Sequence, residues 1–120
     1  MNVLGEYSFN NGKTVIKTRY KRLLQEVYQV IHQVDSKTCL TKKSREKTMP
    51  GKTLYSPIEL NKRFKNLFEQ KGWKKIKVKC DYPSQYYLNG YQPQVPYRAY
   101  REMDFIKENL GLEVQFGKYA

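Results

Sequence analysis

The sequence is short of cysteine, histidine and acid. Its two cysteines, Cys39 and Cys80, stand far apart with no CxxC pair, and His32 is the only histidine. Structural zinc needs several converging Cys or His ligands, and a disulfide framework needs more thiols, so the counts argue against both. Reduced thiols in a cytoplasmic protein are the simplest reading. His32 reads as a surface or helix-end residue rather than a ligand or general base. No run approaches the ~20 apolar residues of a membrane span, so no membrane role is expected. The N-terminus, Met1-Asn2-Val3-Leu4-Gly5-Glu6, lacks the basic start and apolar run of a signal peptide.

Acid is scarce against base: 11 Asp+Glu face 23 Lys+Arg in 120 residues, a formal charge of +12 with a pI of about 9.7. Such a charge calls for a partner. Nucleic acid leads, because neutralising phosphates releases counterions and rewards a basic surface. A ribosomal-type protein, a membrane-surface binder and a merely basic soluble protein share the same charge. At 39% hydrophobic and 28% charged residues, the chain can bury a core. Its length fits one small domain, residues 1–120.

Local patterns divide the chain. Asn10-Asn11-Gly12-Lys13 between Tyr7-Ser8-Phe9 and Thr14-Val15-Ile16 is a hairpin signal. Over residues 20–34, Leu23, Leu24, Val27, Val30, Ile31 and Val34 recur at helical spacing. Residues 35–55 lose periodicity and carry Lys37, Lys42, Lys43, Arg45, Lys47 and Lys52. This segment reads as a loop, either a DNA-backbone arm or a solvated surface. Residues 57–71 form the clearest helix: Ser56 caps it, Pro57 opens it, Glu59 takes the capping-box position, and Gly72 ends it. Ile58, Leu60, Phe64, Leu67 and Phe68 supply its apolar stripe, and Trp73 is a core anchor. Residues 74–79 alternate as a strand, with Ile76 and Val78 expected to face the core. Lys75, Lys77 and Lys79 take the opposite side, as a protected edge or a phosphate-facing row. Residues 80–100 hold Tyr82, Tyr86, Tyr87, Tyr91, Tyr97 and Tyr100, which read as packing a long loop or stacking on bases.

The last twenty residues differ from the body. They hold three Lys+Arg against four Asp+Glu, where residues 1–100 hold 20 against 7. Residues 101–107 and 112–117 read as two antiparallel strands joined by Glu108-Asn109-Leu110-Gly111. Residues two apart on a strand share a face, so Glu113 and Gln115 point together, away from Val114 and Phe116. The hairpin folds Asp104 back beside them. Two carboxylates with an amide suit Mg²⁺, which usually binds through one or two carboxylates and keeps its waters. From spacing and charge alone, the pair fits a metal-dependent nuclease or a solvated hairpin whose acids offset basic neighbours.

Asp104-Phe105, eight intervening residues to Glu113, and then Glu113-Val114-Gln115-Phe116 with Tyr119 behind resemble the active-site segment of the BglII/BstYI group of type II restriction endonucleases. That group lies in the PD-(D/E)xK nuclease superfamily, with glutamine in place of the usual lysine. Pro57, Asn61, Lys65, Lys71 and Trp73 are similar in spacing to the family's helix. After Trp73 the family has an asparagine, whereas this chain reads Lys74-Lys75-Ile76, and nothing is carried over there. The connection over residues 80–100 is longer than the family pattern.

The resemblance implies an α/β (α+β) fold, a restriction-endonuclease-like mixed sheet flanked by helices. It further implies that the chain is the N-terminal part of such a fold, incomplete at its C-terminus. By position, Asp104 and Glu113 match the metal-binding acids and Gln115 the glutamine, giving a catalytic set of Asp104, Glu113 and Gln115. Arg101 or Lys118 is a weaker candidate for contacting the scissile phosphate. The implied cofactor is Mg²⁺. The implied partners are double-stranded DNA, cut at a palindromic site, and a second copy in a homodimer. The competing readings are a non-catalytic basic nucleic-acid-binding protein and a relic that keeps the motif without activity.

Overall fold

The computed structural model describes residues 1–80, 85, 87–91 and 99–116. Among these, three α-helices and five strands in two antiparallel sheets make a mixed α+β arrangement. Helix α1 spans Gly12–Arg19, α2 Lys21–Gln33 and α3 Pro57–Gln70. Strands β1 (Lys42–Lys43) and β2 (Thr53–Leu54) form one small sheet. Strands β3 (Lys74–Lys79), β4 (Tyr100–Lys107) and β5 (Leu110–Leu112) form the other, in that order.

The hairpin expected around Asn11-Gly12 is not formed. Asn10 and Asn11 do adopt left-handed backbone, φ 50° and 58°, as a tight turn of that type demands. The turn leads into α1, because no strand lies opposite: the Gly12 N–H bonds Phe9 O and the Val15 N–H bonds Asn11 O. Ser8 Oγ accepts from the Lys13 N–H, tying down a free amide of the first turn. The N-terminal segment is held across the helices by Glu6, which accepts from Tyr28 at 2.5 Å and pairs with Lys13 at 2.7 Å. The Lys13 ammonium is the first cause, Tyr28 the second, of a Glu6 pKa lowered to about 2.

Helices α2 and α3 follow their periodicity. Leu23 and Val30 of α2, with Val34 just beyond it, are buried, as are Leu60, Phe64 and Phe68 of α3. Ser56 caps α3 by accepting from the Glu59 N–H at 3.3 Å. Ile58, expected in the stripe, is 68% exposed. Two residues before Leu60, it falls on nearly the opposite side of the helix at 100° per residue. Gly72 has φ 84° and turns the chain into β3. Trp73 is 1% exposed, and its ring lies edge-on to Phe68 at 5.5 Å. Phe68 also meets Phe105 of β4 at 4.8 Å, so this aromatic cluster joins α3 to the sheet.

Residues 35–55, expected to be a loop, contain a 3₁₀ turn, Ser36–Cys39, and the β1–β2 ladder. Asp35 caps the turn by accepting from the Lys37 N–H. Cys39 is fully buried and Cys80 half-buried, both as free thiols. His32 is exposed at the end of α2, its Nδ1 3.2 Å from Met1 O.

The strand over residues 74–79 forms, but its faces are reversed. Ile76 is only half-buried and Val78 is 56% exposed. They line a groove with Met103 and Ile106 on the face of the sheet away from α3. The core beneath α3 is filled instead by Phe105 and Trp73. As the end strand of its sheet, β3 also presents an unpaired edge among the described residues. Of the tyrosine-rich segment, Tyr82, Tyr86 and Tyr97 lie outside the described residues. Tyr87 and Tyr91 pack ring to ring at 5.4 Å.

Candidate active site

The β4–β5 hairpin turns on two residues rather than four. Glu108 and Asn109 have φ 48° and 67°, the left-handed pair that matches the twist of a two-residue turn. Lys107 then pairs with Leu110, Ile106 with Gly111 and Phe105 with Leu112. Continued one step, that register would set Asp104 opposite Glu113. The ladder itself stops at Leu112, and residues 113–116 are irregular rather than the expected strand.

Side-chain bonding replaces the ladder there. Asp104 Oδ2 accepts from the Val114 N–H at 3.0 Å, holding the peptide bond that follows Glu113. Val114 packs against the core, and Phe116 lies 6.0 Å from the Phe64 ring. Glu113 and Gln115, between and beside these anchors, are exposed. Of the two residues expected to face the core, Val114 is half-buried, whereas Phe116 remains 36% exposed.

A bulge aims Asp104. Lys74 pairs with Ile106 and Ile76 with Met103, so Lys75 alone opposes both Asp104 and Phe105. The extra residue keeps both side chains on the α3 side, where strict alternation would separate them. Phe105 fills the core. Asp104, half-buried, enters a cleft of about 270 Å³ lined also by Asn61, Lys65 and Glu69 of α3, Lys75 of β3, and Val114. Glu113 and Gln115 are not among the lining residues. Arg101 lies on the other face with Ile76 and Val78, so the structure does not bring it to Asp104. Lys118 and Tyr119 lie outside the described residues.

Glu6, Glu26, Glu59, Glu69, Glu102 and Glu108 each pair with a lysine or arginine. Among the described residues Asp35, Glu46, Asp104 and Glu113 form no ion pair, in a chain of net charge +12. The described residues contain no group of three or more His, Cys, Asp or Glu able to hold a metal. Two oxygen donors still fit Mg²⁺, which takes much of its shell from water and substrate phosphates. Neither thiol nor imidazole adjoins the pair, so the donor set does not fit zinc.

A hydrogen-bonded knot braces the cleft from behind. Glu26 of α2 accepts from Trp73 Nε1 at 2.9 Å and from Lys107 Nζ at 2.9 and 3.0 Å, and pairs with Arg22 at 3.0 Å. Lys107 also donates to Lys71 O at the end of α3. Burial opposes ionisation of Glu26, but the bonds from Lys107 and Trp73 outweigh it and lower its pKa. The knot fixes the end of β4, and so the β4–β5 turn that follows it.

The sequence did not single out Glu69 or Glu26 for any role. Lys75 was read only as one of a row of lysines facing away from the core, and its place beside Asp104 was hidden by the assumption that the core lay beneath Ile76 and Val78. Asn61 and Lys65 were visible through their spacing.

No helix among the described residues is long and apolar enough to cross a membrane. No curated protein matches this chain. The family model described as restriction endonuclease BglII/BglIII matches residues 4–120. With nearly the whole sequence covered, the Asp104–Glu113 pair within the match and the resemblance of the acid–EVQF block agreeing with it, the chain belongs to the BglII/BglIII restriction endonuclease family.

Proposed function

We propose that this chain works as a Mg²⁺-dependent type II endonuclease, hydrolysing phosphodiester bonds in duplex DNA at a specific palindromic site as a homodimer. The observation that carries this reading is the bond from the Val114 N–H to Asp104 Oδ2, which ties Asp104 to the residue next to Glu113 in a basic, family-matched chain. Asp104 and Glu113 would hold the ion. Bound there, Mg²⁺ lowers the pKa of a coordinated water and neutralises charge on the scissile phosphate.

The chain's own residues supply position. The Val114 N–H fixes Asp104 Oδ2 and leaves the carboxylate's other lone pairs open. Gln115 is exposed beside Glu113, with an amide that can both donate and accept, which suits orienting a water molecule. Phe105 and Val114 supply the apolar part of a cleft otherwise lined by Asn61, Lys65, Glu69 and Lys75. The excess of lysine and arginine draws the polyanion to the site.

A binding protein without catalysis is the second reading, favoured by the exposed lysines of β3. Incubation of plasmid DNA with Mg²⁺ or with a chelator separates the two. Discrete Mg²⁺-dependent fragments, with ends mapping to one palindrome, support the endonuclease. Binding without cleavage supports the second reading.

A further inference from the structure

We propose that Lys75 and Lys77 form a phosphodiester-binding site whose place is held, in the free protein, by the carboxylate of Glu102. The proposal deepens the nuclease reading and rests on it for the choice of duplex DNA as the ligand.

Both lysines project to the α3 side of β3, with one residue between them. Glu102 faces them from β4, directly opposite Lys77. Lys75 Nζ pairs with Glu102 Oε1, and Lys77 Nζ lies 3.6 Å from Oε2. Each oxygen of one carboxylate therefore meets a different ammonium. A phosphodiester presents the same pattern, one negative charge shared by two non-bridging oxygens, so it can take the carboxylate's place.

Three observations favour a binding site over an ordinary cross-strand ion pair. The first is charge. One carboxylate is shared by two lysines, so neither ammonium has a carboxylate in contact to itself. The second is position: Lys75 lines the cleft that holds Asp104, so a phosphate taken by Lys75 lies on the strand leading to the two acids. The third is preparation. Lys77 Nζ rests 4.6 Å above the Tyr100 ring, which confines the side chain near Glu102. The Lys75 side chain is 54% exposed and that of Lys77 59%, so solvent screens the ion pairs and exchange of one anion for another is easy. Glu102 then acts as a gate on charge: it keeps the pair satisfied without DNA and must turn aside when a phosphate arrives.

The test is binding of a fluorescently labelled duplex oligonucleotide, by anisotropy, over a range of salt and with a chelator so that nothing is cut. Lys75→Gln should flatten the slope of log affinity against log salt by ~0.9, the loss of one phosphate contact. Lys75→Arg should restore the slope, since the charge is kept. Glu102→Gln should tighten binding several-fold, and this gain should vanish when combined with Lys75→Gln. Far-UV circular dichroism and Trp73 emission establish that each variant is folded, and Lys75→Met serves if the glutamine variant is not. An unchanged slope in Lys75→Gln, weaker or equal binding by Glu102→Gln, or no DNA binding by the unmodified chain overturns the proposal. A Lys75-dependent slope without Mg²⁺-dependent cleavage defeats the nuclease reading and leaves the phosphate site standing. Cleavage with a Lys75-independent slope does the reverse.

Discussion

Replacing Glu26 with glutamine should unfasten the back of the cleft. The carboxylate receives Trp73 Nε1, Lys107 Nζ and Arg22, and its side chain is only 17% exposed. In Glu26→Gln, one end of the amide turns an NH₂ toward donors that cannot accept it. Lys107, 19% exposed, keeps its charge and retains only Lys71 O. Breaking a buried ion pair from one side costs about 3–5 kcal/mol. Partial exposure of this one reduces the expected loss to about 2–3 kcal/mol, a large share of the ~5–15 kcal/mol that stabilises a domain. Urea unfolding, followed by the emission of the single buried tryptophan Trp73, should show the midpoint falling by about 1–2 M.

Lys107→Met in the Glu26→Gln background should recover part of the loss, since it removes the stranded charge. The pH dependence has a defined sign. The folded pKa of Glu26 lies below its ordinary value of 4.5, so its contribution is complete above that value and is lost as pH falls through the folded pKa. The gap between the unmodified chain and Glu26→Gln should therefore narrow as pH drops below about 4.5. A loss under about 0.5 kcal/mol at neutral pH, within the range of ordinary surface changes, would refute the bracing role.

Three further outcomes follow from the same packing. Phe68→Ala removes the ring that touches Phe64, Trp73 and Phe105, and should cost about 3–5 kcal/mol in thermal or urea unfolding. Gly72→Ala meets only ordinary contacts near Lys107 but must hold φ 84°, so about 1–2 kcal/mol of backbone strain should appear as a lower melting temperature. Ser56→Ala, which frees the Glu59 N–H, should lose about 1 kcal/mol in the same assay, with Ser56→Asp close to the original.

Much of the site's frame was legible because it rests on local rules. Ser56-Pro57 and Gly72 bound α3, and the spacing of Leu60, Phe64 and Phe68 set its buried face. The interval from Asp104 to Glu113 marked a hairpin, and a two-residue turn at Glu108-Asn109 forms within it. Other features depend on contacts distant in sequence. The Asn10-Asn11-Gly12 turn formed, yet whether a strand or a helix follows it depends on a partner the local pattern does not contain. The side of β3 that meets the core was misread because both faces of KKIKVK satisfy strand alternation, and only the placement of α3 decides between them. The bulge at Asp104 and Phe105 was invisible for a related reason: it is a property of the pairing with Lys75, and no residue of β4 signals it alone. Glu26 looked like a member of a solvated helix face until Trp73 and Lys107 were placed against it.

The most direct test of the account is DNA cleavage with Mg²⁺ by the unmodified chain beside Asp104→Ala and Glu113→Ala, with DNA binding measured on the same samples. The account predicts discrete fragments from the unmodified chain and none from either variant, while both variants bind DNA at least as tightly because a negative charge near the phosphates is gone. Cleavage that persists in Asp104→Ala, or binding without cleavage by all three folded chains, would contradict it.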